Sequence, residues 1–167
     1  MNQDVHPLPI FSKINDKSLN LRGYVLNEGV CKAFLKAVKM CPDLLENVYF
    51  EDNLLTDKTL GMLMEGVTHF QNMRKITIKN NEVLDNVVKH LDSIIKRPFP
   101  NNLNELRIMN VKTSPLIITS LINNLKDLCL LKKIAIVGCQ LSDSHLPGVV
   151  QMIENGRFLI GLDLSWS

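Results

Sequence analysis

Residues 45–55 read LENVYFEDNLL, with apolar side chains at Leu45, Val48, Phe50 and Leu55 and an amide, Asn53, between the last two. The figure returns as MRKITIKNNEV at 73–83, LNELRIMNVKT at 103–113 and LKKIAIVGCQL at 131–141. Partial copies flank these, SLNLRGYVL at 18–26 and LIGLDLSWS at 159–167. The place of Asn53 is taken by Tyr24, Asn81, Val111, Cys139 and Ser167, at successive steps of 29, 28, 30, 28 and 28 residues. A fixed period of this size marks a repeat architecture, in which each unit buries its apolar face only against its neighbours.

Within a unit, side chains two apart share one face of an extended strand. Val48 and Phe50 therefore point inward, and Asn47, Tyr49 and Glu51 point outward. Asn53 suits the bend that follows, because a short amide can bond backbone groups that a turn leaves unpaired. Cys139 can fill the same place as a small buried residue, whereas Tyr24 and Val111 depart from that chemistry. The pattern L-x-x-L-x-L-x-x-N/C-x-L at this period is that of leucine-rich repeats. Units of this length with Asn or Cys in the turn resemble the ribonuclease-inhibitor-like subfamily, over residues 18–167. The resemblance implies an α/β solenoid curved into a horseshoe, with parallel strands on the concave face and helices on the convex face. It would hold about six repeats, the last incomplete.

Three residues after the turn position stand Asn27, Thr56, Ser114 and Ser142, types whose side chains cap the first turn of a helix. Pro115 fits the first helical position. In the third repeat Leu84 stands there instead, and Asp85 is expected to cap. Seven residues past the turn lie Cys31, Leu60, Val88, Ile118 and Leu146; ten past lie Phe34, Leu63, Leu91, Leu121 and Val149. Fourteen past lie Val38, Val67, Ile95, Leu125 and Ile153. These rows are three and four residues apart, so they share one helical face and, with the strand rows, make the expected core.

Residues 1–17 precede the lattice. Pro7 and Pro9 keep their segment extended, and Leu8, Phe11 and Ile14 are expected to fold over the first repeat as an N-terminal cap; the alternative is a docking arm. The loop KRPFPNN at 96–102 carries two prolines and falls in the step of 30. Its Lys96 and Arg97 read as a solvated helix end, favourable against the helix dipole. The sixth strand, around Leu162 and Leu164, is followed by no helix. The C-terminal edge is therefore expected to be covered by further repeats or by another chain.

A hydrophobic share of 46% with only 5% aromatic residues fits an aliphatic repeat core. The net charge of +2 gives no broad footprint for nucleic acid. No apolar run approaches a membrane span, Lys132 and Lys133 breaking the most hydrophobic region, so no membrane insertion is expected. The N-terminus lacks the basic start and apolar segment of a secretory signal. Cys31, Cys41, Cys129 and Cys139 then read as reduced core thiols of a cytoplasmic protein. His6, His69, His90 and His145 fall in different repeats. Asp143, Ser144 and His145 are adjacent at a helix start and cannot form a nucleophilic relay, so they read as a cap. Neither zinc spacing nor a glycine-rich phosphate loop occurs. No metal, cofactor or enzymatic activity is expected.

The outward strand positions are the expected binding surface: Tyr49, Glu51, Lys75, Lys79, Arg107, Met109, Lys133, Asp163 and Trp166. Charge passes from acidic in the second repeat to basic in the third, which suits a protein partner better than a polyanion. Tyr, Arg and Trp are the types that dominate interface energies. The expectation is a non-catalytic protein–protein interaction scaffold that binds through its concave face, within a larger cytoplasmic or cytoskeletal assembly. The alternatives are a GTPase regulator similar to the Ran-activator repeats, or a structural subunit of a cytoskeletal or axonemal complex.

Overall fold

The computed structural model describes residues 10–97, 102–126 and 130–165. The expectations on Leu8, Cys129, Trp166 and residues 98–101 lie outside them. Strands and helices alternate: β1 (Ile14–Asn15), β2 (Ser18–Asn20), α1 (Glu28–Val38), β3 (Asn47–Glu51), α2 (Asp57–Val67) and β4 (Lys75–Lys79). There follow α3 (Asp85–Ile95), β5 (Glu105–Met109), α4 (Pro115–Leu125), β6 (Lys133–Val137), α5 (Leu146–Asn155) and β7 (Gly161–Asp163). All seven strands form one sheet in chain order. Only β1 and β2 are antiparallel, so the chain is α/β with a mostly parallel sheet. The register carries the period. Asn47 pairs with Lys75, Lys75 with Glu105, Glu105 with Lys133, and Lys133 with Gly161.

Burial follows the apolar lattice. In β3, Val48 and Phe50 are buried while Asn47, Tyr49 and Glu51 are half-buried. The helical rows join the strand residues in one hydrophobic core. Two expected members do not: Leu146 is 55% and Ile153 51% exposed, with Val150 between them at 48%. In α1 to α4 the outer side of each helix packs on the next helix. Nothing among the described residues plays that part for α5. At the other end a tight turn at Phe11–Lys13 places Ile10, not Phe11, on the buried side. Ile14 packs against the core as expected. Cys31 and Cys139 are buried, but Cys41, expected in the core, is exposed in the turn beyond α1.

The turns after β2 to β6 use a feature that the apolar spacing does not reveal. Gly23, Asp52, Asn80, Asn110 and Gly138 all have positive φ, between 49° and 72°. Gly, Asn and Asp are the types that accept this left-handed conformation. After Asn80 and Gly138 the side chain of the next residue closes the turn. Asn81 donates from Nδ2 to the carbonyls of Phe50 (2.9 Å) and Lys79 (3.0 Å), and its Oδ1 accepts from Leu55 N at 2.9 Å. Cys139 contacts the equivalent carbonyls with its thiol, Ile108 at 3.6 Å and Val137 at 3.2 Å. It therefore replaces the amide as a donor, not only as a filler.

Asn27, Thr56 and Ser114 cap α1, α2 and α4 as their types predict. The third helix corrects the expectation for Asp85. Its cap is Asp57, a buried residue in the first turn of α2. The Asp57 carboxylate accepts from the backbone N–H groups of Leu84 (2.8 Å), Asn86 (3.0 Å) and Val87 (3.1 Å), and from Asn86 Nδ2 (2.8 Å). Stacking two units brings the start of one helix within reach of the start of the next. Ser142 and His145 close a reciprocal capping box ahead of α5. Arg97 also differs from the solvated end expected of it. Its guanidinium donates to the carbonyls of Thr68 and Phe70, just beyond α2, and burial lowers its pKa.

Replacing Asp57 with alanine leaves three N–H groups at the start of α3 unpaired and lowers unfolding free energy by roughly 2 kcal/mol. Asp85→Ala costs less than about 1 kcal/mol, since that side chain acts only on the helix dipole. Urea unfolding of the two variants checks the order; equal losses would remove Asp57 from the capping role.

Candidate protein interface

Side-chain alternation divides the sheet into an apolar face that meets the helices and an open face. Three rows run across the open face in register. The first is Ser18, Asn47, Lys75, Glu105, Lys133 and Gly161; the second is Asn20, Tyr49, Thr77, Arg107, Ala135 and Asp163. The third is Glu51, Lys79, Met109 and Val137. Eight of the nine residues expected at the binding surface stand in these rows. Trp166 lies outside the described residues.

Charges on this face pair both within one strand and between neighbouring strands. Lys75 Nζ lies 2.9 Å and Arg107 Nε 2.6 Å from Glu105 Oε1. The Lys75 ammonium also sits 5.3 Å from the centre of the Tyr49 ring, within cation–π range. Burial raises the Glu105 pKa, but Lys75 and Arg107 together outweigh it and leave the carboxyl below its ordinary value. Asp163 is held down first by the hydroxyl and backbone N–H of Ser165, and then by the charge of Arg107. Glu51 and Lys79 are opposite charges side by side in register. Thr77, between Tyr49 and Arg107, is buried, and its hydroxyl finds no hydrogen-bond partner among the described residues.

The face is not flat. A hollow of about 230 Å³ opens over β5, β6 and β7, and its lining includes Arg107, Met109, Lys133, Ala135 and Asp163. Four of the expected site residues thus converge on one place, whereas Tyr49, Glu51, Lys75 and Lys79 lie over β3 and β4. A larger hollow of about 350 Å³ sits at the turn edge, among Leu54, Asn80, Asn110, Glu82 and Lys112. The spacing analysis missed it. Leu54 is 87% exposed and has a φ of 53°, a conformation unfavourable for a bulky side chain. The two charges there pair with each other, Lys112 Nζ to Glu82 Oε1 at 3.0 Å.

Comparison of the chain with family models and with curated proteins gave no match. Among the described residues, no cluster of three or more His, Cys, Asp or Glu side chains is placed to hold a metal ion. None of the described helices is long and apolar enough to cross a membrane.

A carboxyl with a depressed folded pKa stabilises above its unfolded value and loses that contribution as pH falls through the folded value. For Glu105 the loss begins below the ordinary value of 4.5. Glu105→Gln is therefore expected to be less stable than the wild type at pH 7, with the gap closing below that point. Denaturant unfolding across pH reads the gap; a gap unchanged at low pH would mean that the ion pairs do not stabilise the fold.

Proposed function

We propose that this chain is a non-catalytic interaction module, a leucine-rich-repeat solenoid whose open sheet face is the concave surface that binds a partner protein. One observation carries the reading: Tyr49, Lys75, Arg107, Met109 and Asp163 stand in register on one face, most of whose charges pair with a neighbour on that face. An ion that keeps its counter-ion loses less when a partner removes its water than an unpaired ion does. Aromatic, arginine and methionine side chains on strands provide contact area without ordering a loop.

The outer side of α5 supports a place in a larger assembly. Leu146, Val150 and Ile153 form an exposed apolar stripe, beside exposed Phe158 and Ile160. Further repeats or another chain would cover it, as each preceding helix is covered. That feature also suits the alternative reading of a structural subunit held in a larger complex.

The test is affinity capture with mass spectrometry, using the wild type, Tyr49→Ala/Arg107→Ala, and a helix-side control, Leu116→Ser. Leu116 is 82% exposed on α4. The face variant is expected to lose about tenfold or more of one reproducible partner that the control retains. A partner retained by the face variant and lost by the control would move the binding surface to the helices.

A further inference from the structure

The hollow over β6 and β7 exists because two side chains are small. In the second row Tyr49, Thr77 and Arg107 give way to Ala135; in the first row Lys75, Glu105 and Lys133 give way to Gly161. Gly161 is not there for its backbone. Its φ is not in the left-handed region, and an added Cβ would meet Lys133 Cγ at 3.6 Å, an ordinary contact. The absent side chains leave space beside Met109, and that space is ringed by charge.

The charges do not cancel within the ring. Lys75 and Arg107 both lean on Glu105. Asp163 Oδ1 accepts from Ser165 N at 3.0 Å and Ser165 Oγ at 2.6 Å, and the carboxylate also feels the field of Arg107. Of the charges that line the hollow, Arg107 and Lys133 stand against the one carboxylate of Asp163, and Arg107 is already held by Glu105, so Lys133 is the cation left over. It is exposed and has no ion pair among the described residues. Arg107 uses Nε on Glu105, and its planar fork has further N–H donors, the geometry that suits a carboxylate.

We infer that this hollow receives a glutamate side chain of the partner protein. Its methylenes lie against Ala135 and Met109, and its carboxylate meets Lys133 and the remaining N–H groups of Arg107. A single negative charge neutralises the surplus. A phosphoryl group would bring a further charge beside Asp163 and is disfavoured by repulsion. A lysine or arginine would confront Lys133. The inference rests on the open face being the partner surface, and it adds which chemical group anchors there.

Two measurements separate the inference from that reading. The first titrates the isotopically labelled chain with N-acetyl-glutamate methylamide, its glutamine analogue and its lysine analogue, followed by backbone amide NMR. The glutamate probe is expected to shift the amides of Lys133, Ala135, Gly161 and Asp163 and to lose that effect in Lys133→Gln. Equal shifts from the glutamine probe, stronger shifts from the lysine probe, or no shift at these amides would overturn the inference.

The second repeats the partner capture with two variants. Lys133→Glu is expected to lower recovery about tenfold and Lys133→Arg to keep it within about twofold. Lys133 is solvent-exposed, so both variants are expected to fold. Normal capture by Lys133→Glu would sink the glutamate anchor while leaving the face intact. Normal capture by Tyr49→Ala/Arg107→Ala would instead remove the face.

Discussion

Every unit of this fold must solve one problem: turning the backbone out of a buried strand without leaving its polar groups unpaired. A buried carbonyl or N–H with no partner costs on the order of 1–3 kcal/mol, and the turn recurs in each repeat. Asn81 answers with three bonds to the backbone, one of them the N–H of Leu55 in the unit before it. The bonds that close one turn therefore also fasten two units together. Cys139 reproduces the two donations with a thiol. Val111 has no donor to give, and there the backbones pair directly: Lys112 N donates to Asn81 O and Val83 N to Lys112 O, both at 2.9 Å. The turns thus bond by side chain and backbone at Asn81 and Cys139, and by backbone alone at Val111.

Much of this was legible in the sequence, because the period converts linear spacing into position. Once the steps of 28 to 30 residues are known, the strand pairing is arithmetic, and the helical rows follow from intervals of three and four. Features belonging to one unit alone, such as the Thr56 and Ser114 caps, could also be read. Features made by two units could not. Asp57 caps a helix whose start lies about 30 residues ahead, and Arg97 bonds carbonyls about 28 residues behind it. Neither has a local motif. Leu146 and Ile153 show the same limit: their spacing says apolar face, but burial depends on whether something packs beyond them.

One signal was present and unread. The residue before the turn amide runs Gly23, Asp52, Asn80, Asn110 and Gly138, a column of types that tolerate positive φ. Apolar spacing overlooks it because none of the five is apolar. The sixth member of the column is Trp166. Trp166 is expected on the binding face from its side-chain type, whereas its column elsewhere belongs to the turn. A bulky aromatic in a column otherwise filled by Gly, Asp and Asn makes the last unit different from the five before it.

The candidate site shows where alternation stops being informative. Alternation correctly put Tyr49, Lys75, Arg107 and Asp163 on one face, but it assigned every charged residue the same availability. The register separates them. Lys75 and Arg107 share Glu105, and Arg107 also lies close enough to Asp163 to lower its pKa, whereas Lys133 has no ion partner among the described residues. The repeat makes this discrimination possible, because identical spacing brings residues one period apart side by side. Substitution at a single position then sets the local chemistry without changing the scaffold. Ala135 and Gly161 give that face its depth, and Lys133 gives the same place its unmatched charge. Local chemistry in such an array is set by departures from the repeat, held in position by what the repeat keeps constant.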